Sequence, residues 1–137
     1  VISDRLIDSV KHHEGYRSKA YQDSVGVWTV GYGQNLQVLE IDEELAESWL
    51  MRELHELEAK LSESVDFRGL DEVRQAVLIE MAYNLGLRGL MGFKNMLAAV
   101  DRKDWDDAAA HGLDSKWSEQ VGKRADTLMV RLATGEW

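Results

Sequence analysis

The stretch EGYRSKAYQDSVGVWTVGYG, Glu14–Gly33, decides how this chain is read. It sets a glutamate beside a glycine, puts an aspartate in DSVG, and ends with a threonine among aromatics and glycines. KAYQ, then DSVG, then the alternating VWTVGYG predicts an antiparallel hairpin over residues 19–33, since β-prone runs flank a turn-forming tetrapeptide. A third short strand is expected near Leu36–Val38. Upstream, Ser3 is a natural N-cap, Leu6, Ile7 and Val10 share one apolar face, and Gly15 ends the helix.

Beyond the hairpin the periodicity turns helical. Asp42 caps a helix whose seam runs Leu50, Leu54, Leu57, Leu61, long enough to reach about 30 Å at 1.5 Å per residue. Asp71 starts a second strong helix with Val73, Val77, Met81 and Leu85 inward and Gly86 at its end. Shorter helices are expected over residues 93–100, 104–110 and 118–133, the last closed by Gly135. The fold class is therefore α+β. A small N-terminal antiparallel β-sheet lobe (about 15–40) is joined by a connecting helix (about 42–63) to a mainly α-helical C-terminal lobe (about 64–137), which also packs helix 3–14. The whole of 1–137 reads as a single domain. Two lobes and a bridging helix leave a cleft of the kind that takes extended substrates.

With 137 residues, the chain has room for one core. Hydrophobic residues are 45% and charged residues 30%, the balance of a folded globular protein. There is no cysteine, which removes disulfide frameworks and thiolate metal sites. No apolar run approaches the roughly 18 residues that span a bilayer, and the N-terminal segment lacks the apolar core of a signal peptide. The first residue is Val rather than Met, which leaves room for an upstream segment. A net charge of −9 disfavours nucleic acid and anionic membrane surfaces as partners. His12 and His13 are adjacent and cannot both face one ion from a regular helix, while His55 and His111 stand alone, so no metal is expected. GVWTVGYG lacks the order and the following helix of a nucleotide-binding loop. The five tryptophans sit on separate elements and read mainly as core.

The candidate chemistry lies in the opening stretch. Ile7, Val10 and Glu14 fall at i, i+3 and i+7, so Glu14 projects from the apolar face of its helix, in its last turn. A carboxylate there is expected to lose hydration and to remain protonated, as a general acid requires. Asp23, in the turn, is expected to stay solvated and ionised. Thr29 can hold a water through its hydroxyl. Gly31 and Gly33 clear one strand face for a ligand. Each residue also has a plainer role: a solvated helix end, a turn-forming aspartate, a β-prone threonine. Two carboxyl groups in contrasting settings are the minimum for glycosidic hydrolysis.

Glu14, Gly15, Tyr21, Asp23, Gly26, Thr29, Gly31 and Gly33 together spell a pattern that resembles the signature of the T-even type phage lysozymes, the endolysins of glycoside hydrolase family 24. NLG with GFKN (residues 84–95), WDDAA (105–109), SKW (115–117), KRA (123–125) and TGEW (134–137) resemble the family's later landmarks in the same order, so the likeness covers essentially the whole chain. The resemblance implies a lysozyme-like fold and a cofactor-free muramidase, a cell-wall-lysing hydrolase of the β-1,4 bond between N-acetylmuramic acid and N-acetylglucosamine, with inversion. By it, Glu14 is the general acid, Asp23 activates the water and Thr29 places it. It further implies substrate contacts at Gly33, Tyr83, Asn84, Met96, His111 and Arg124. Residue types at Met96 and His111 depart from the family's pattern, and Tyr83 and Met96 also suit the core. Gln34 stands where the pattern has a histidine in an ion pair, and the segment from Gln34 to Asp42 is short. The expected partner is bacterial peptidoglycan, met by a monomer that stays in the host cytoplasm until release. The acidity keeps a second expectation open, a lysozyme-like domain that binds peptidoglycan or serves as a scaffold. A lytic transglycosylase needs the acid but no water-activating aspartate, and the presence of Asp23 and Thr29 weighs against it.

Overall fold

The computed structural model describes residues 2–137. Its contacts gather into two compact units, residues 1–46 and 47–137. The first unit opens with α1 (Asp4–Glu14), where Ser3 Oγ accepts from the Leu6 N–H at 3.3 Å and Gly15, at φ 72°, ends the helix. A three-stranded antiparallel sheet follows in the order β1 (Arg17–Gln22), β2 (Trp28–Gly31), β3 (Gln34–Asn35). Tyr21 pairs with Thr29, and Thr29 with Asn35, so Thr29 is the middle of a rung across all three strands.

The third strand lies earlier than Leu36–Val38. The chain reverses at once after Gly31, because Gly31 and Gly33 both adopt positive φ (69° and 78°) and Gln34 Oε1 accepts from the Tyr32 N–H at 2.7 Å. That tight turn lays Gln34 beside Val30. Leu36 still bonds back to the Trp28 carbonyl at 2.9 Å, and the chain then turns away over Val38 and Leu39.

Helix α2 (Glu43–Leu61) begins as expected, with Asp42 Oδ1 accepting from the Leu45 N–H at 2.8 Å. Its seam sinks along its length: Leu50 is exposed, Leu54 and Leu57 are half-buried, and Leu61 is buried. The second unit then winds through α3 (Val65–Arg68), α4 (Glu72–Leu85), α5 (Leu87–Met91), α6 (Lys94–Asp101), α7 (Trp105–Leu113), α8 (Lys116–Val121) and α9 (Lys123–Thr134). The single helix expected over 118–133 is two, because Gly122 breaks it at φ 57°, ψ −116°, a conformation that a side chain strongly disfavours.

The core lies in this unit, from Leu61 to Leu132, with Val77, Leu78, Met81 and Ala82 of α4 in its midst. Helix α7 packs on α6 and α9. Gly112 permits the close approach to α9, since a Cβ there would collide with the Met129 sulfur and crowd that of Met96. Arg74 ties the start of α4 to the end of α9. Its guanidinium donates to the Leu132 and Ala133 carbonyls at 2.7 and 2.9 Å, pairs with Asp71 at 2.9 Å, and lies 3.9 Å from the centre of the Trp105 ring. This satisfies carbonyls that a helix end leaves orphaned. The tryptophans depart from the expectation of core: Trp117 is buried and Trp105 half-buried, but Trp28, Trp49 and Trp137 are exposed.

Candidate active site

Asp23 sits just after β1, and its backbone N–H donates to the Val27 carbonyl at 2.9 Å. Its side-chain Oδ1 accepts from the N–H groups of Val25 and Val27, both at 2.9 Å. The turn-building and chemical readings of this residue are thus compatible: one oxygen braces the turn, and Oδ2 has no protein donor among the described residues. Thr29 is buried, 5% exposed, and donates its hydroxyl proton to the Val27 carbonyl at 3.0 Å. With its proton committed, Oγ1 keeps its lone pairs as acceptors. Val27 therefore joins both candidates through one residue's backbone, its N–H held by Asp23 and its carbonyl by Thr29.

Glu14 ends α1 and is exposed. The desolvated setting expected for it is not found, because the apolar face of α1 is itself open: Leu6, Ile7 and Val10 are 45%, 40% and 47% exposed. What the structure does place at Glu14 is Gly33. A Cβ at Gly33 would overlap the Glu14 carboxylate, lying 3.0 Å from its Cδ. Around the same turn the Tyr16 and Tyr32 rings lie 5.5 Å apart, and Lys11 Nζ is 5.6 Å from the Tyr32 ring centre. Gln34, in the place of an ion-pairing histidine, supplies the acceptor that closes the turn.

The second unit divides the remaining candidates between two concavities. Met96 and His111 line a recess of about 530 Å³ together with Trp117. Met96 is 1% exposed and serves chiefly as core, and His111 Nε2 stands 3.5 Å from Asp107 Oδ2, which also pairs with Arg102 at 3.0 Å. Asn84 joins this group through Trp117, whose indole N–H donates to Asn84 Oδ1 at 2.8 Å, while its amide NH₂ has no acceptor among the described residues. Tyr83 and Arg124 line a separate groove of about 560 Å³, where Tyr83 is 44% exposed and Arg124 pairs with Glu80 at 3.2 Å. Sequence reading missed Trp117, Asp107 and Glu80 as partners. The Asp107–His111 spacing of four on a helix was a usable signal. Asn84 with Trp117 and Glu80 with Arg124 are joined only by the fold. Among the described residues, no three His, Cys, Asp or Glu side chains gather as a metal site, and no helix is long and apolar enough to cross a membrane.

The family model of phage lysozymes matches residues 11–134. The chain is 23% identical to a probable T4-type lysozyme 1 of Dictyostelium discoideum, over 93% of each chain. It is 30% identical to an endolysin of Acyrthosiphon pisum secondary endosymbiont phage 1, over 90% of this chain and 85% of the endolysin. It is also 25% identical to the pre-baseplate central spike protein Gp5 of Enterobacteria phage T4, over 95% of this chain but 28% of that longer protein.

Proposed function

We propose that this chain, which belongs to the phage lysozyme family and so to a family of peptidoglycan hydrolases, is a muramidase cleaving the β-1,4 bond between N-acetylmuramic acid and N-acetylglucosamine with inversion. The supporting observation is the pairing of Asp23 and Thr29 on the Val27 backbone, which leaves Asp23 Oδ2 and the Thr29 lone pairs without a protein donor among the described residues. Asp23 accepts a proton from a water as it attacks the anomeric carbon. Thr29 accepts the water's other hydrogen and aims its lone pair. Glu14 protonates the departing glycosidic oxygen, so one proton leaves the water as another enters the leaving group. Gly33 keeps the Glu14 carboxylate clear of side-chain atoms. Tyr83, Asn84, His111 and Arg124 are the further substrate contacts, with Asn84 offering its amide hydrogens to a sugar oxygen and Met96 backing the recess that His111 lines. The chain acts as a monomer without cofactor, held in the host cytoplasm until release to the wall.

The net charge of −9 and the match to part of a spike protein favour a second reading, a lysozyme-like domain that binds peptidoglycan or acts as scaffold. Digestion of purified peptidoglycan with product analysis separates the two. New reducing ends without anhydro-muramic products are expected, whereas binding without cleavage supports the scaffold and anhydro products mark a transglycosylase. Glu14→Gln should abolish cleavage and leave the circular dichroism unchanged. Surviving activity would remove Glu14 as the acid.

A further inference from the structure

Thr29 is the middle of a rung that Tyr21 and Asn35 complete. Directly paired residues put their side chains on the same face of a sheet, so Asn35 stands on the Thr29 face. The pair is also of the close kind. The Leu36 N–H donates to the Trp28 carbonyl at 2.9 Å. Trp28–Leu36 is therefore the hydrogen-bonded rung and Thr29–Asn35 the non-hydrogen-bonded one, where Cα atoms approach to about 4.5 Å.

Asn35 is half-buried and held at both of its oxygens. Its backbone carbonyl accepts from the Leu39 N–H and its side-chain Oδ1 from the Gln37 N–H, both at 2.9 Å. An N–H only donates, so the atom that meets Gln37 is the carboxamide oxygen, and the orientation of the amide is fixed. The NH₂ has no acceptor among the described residues, and no hydrogen bond joins it to Asp23 or Thr29. An aspartate would brace this turn equally well. Only asparagine adds a donor, and it adds one next to a threonine whose hydroxyl proton is already committed to Val27.

A donor set beside acceptors calls for an acceptor on the ligand. In the reaction proposed above, Thr29 aims a water at the anomeric carbon, so Asn35 adjoins the substituents nearest that carbon. In an N-acetyl sugar the neighbouring ring carbon carries an acetamido group, whose carbonyl oxygen is a strong neutral acceptor. We propose that Asn35 is a specificity-determining residue, donating from Nδ2 to this acetamido carbonyl and so selecting N-acetylated glycan over glycan with a hydroxyl in its place. The choice of sugar position rests on the muramidase reading; the fixed, unpartnered donor does not.

N,N′-diacetylchitobiose and cellobiose share one disaccharide backbone and differ in carrying acetamido groups or hydroxyls. Each can be titrated into the intact protein, following the Asn35 side-chain NH₂ and the Thr29 backbone amide by NMR. Diacetylchitobiose is expected to saturate, to shift the NH₂ resonances, and to bind about tenfold more tightly than cellobiose, near the most that one neutral hydrogen bond supplies. Asn35→Asp keeps an oxygen for the Gln37 N–H and removes the donors, so it should bring the two sugars to within about twofold of each other. Asn35→Ala, which adds no charge, should give the same ratio. Equal binding of the two sugars by the unaltered protein would overturn the proposal, as would an undiminished preference in either variant. So would saturation that leaves the NH₂ resonances unmoved, or no saturable binding of either sugar. The muramidase reading fails separately: a chain that keeps this preference and cleaves no peptidoglycan loses that reading and retains Asn35 as an acetamido contact.

Discussion

Gly33 meets two demands at one position: a backbone φ of 78° and a carboxylate, that of Glu14, where a Cβ would stand. Gly33→Ala should therefore cost about 1 kcal/mol or more in stability, since alanine at positive φ is strained. It should also lower hydrolysis further than that loss of stability accounts for, by displacing Glu14. Melting curves beside turnover on purified wall separate the effects, and wild-type turnover in a folded variant would remove Gly33 from the site. Asp71 carries a pH prediction. Burial pushes its carboxyl up, but the Arg74 backbone N–H, the guanidinium bond and the guanidinium charge together outweigh it, so the group titrates below its ordinary range. A depressed folded value adds stability above the unfolded value, and that stability is lost as pH falls through the folded one. Asp71→Asn keeps an N-cap acceptor and removes only the charge. Its deficit in Tm should correspond to less than about 1 kcal/mol at neutral pH, because Asp71 is partly solvated, and should close in acid. A deficit that persists below the carboxylate range would assign the effect to the cap instead. Caps such as Ser3 and Asp71 were legible because each acts within its own turn. The exposure of Glu14 was not, because periodicity names a helix face without saying whether anything covers it.

At the scale of elements, Gly122 is the position where reading and structure part most clearly. The apolar spacing over 118–133 suits one helix, yet α8 and α9 are separated by a residue at φ 57°, ψ −116°. Gly122→Ala should cost about 1–3 kcal/mol, the usual range for a residue forced into a sparsely populated region, read from urea midpoints. A cost below about 0.5 kcal/mol, the level of ordinary surface substitutions, would mean that α8 and α9 tolerate joining. The displaced third strand has a similar origin. The propensity of Leu36–Val38 for strand is overridden by a turn that two glycines and the Gln34 side chain complete at once. Helix α2 was read well because its cap and its leucine spacing both lie in one element. The gradual sinking of its seam depends on neighbours tens of residues away.

For the whole molecule, the distribution of burial has a dynamic consequence. Every buried hydrophobic among the described residues lies between Leu61 and Leu132, while in residues 2–46 Thr29 alone is buried. Few buried contacts mean low local opening energies. Amide exchange should therefore be at least about tenfold faster in β1–β3 than in residues 77–82 and 128–132, which should approach the global limit. Equal protection in both regions would contradict the uneven core.

By itself the sequence determined the fold class and the main helices with their caps, because these rest on local chemistry. It pointed to the catalytic candidates Glu14, Asp23 and Thr29 through the resemblance of their combined pattern to a family signature. Only the tertiary structure decided that Val27 joins Asp23 to Thr29, that Gly33 makes room for Glu14, that Asn84 is held by Trp117, and that Arg74 closes α9. Such contacts depend on where side chains and backbone meet after the chain has folded back on itself, and helical or strand periodicity carries no information about that.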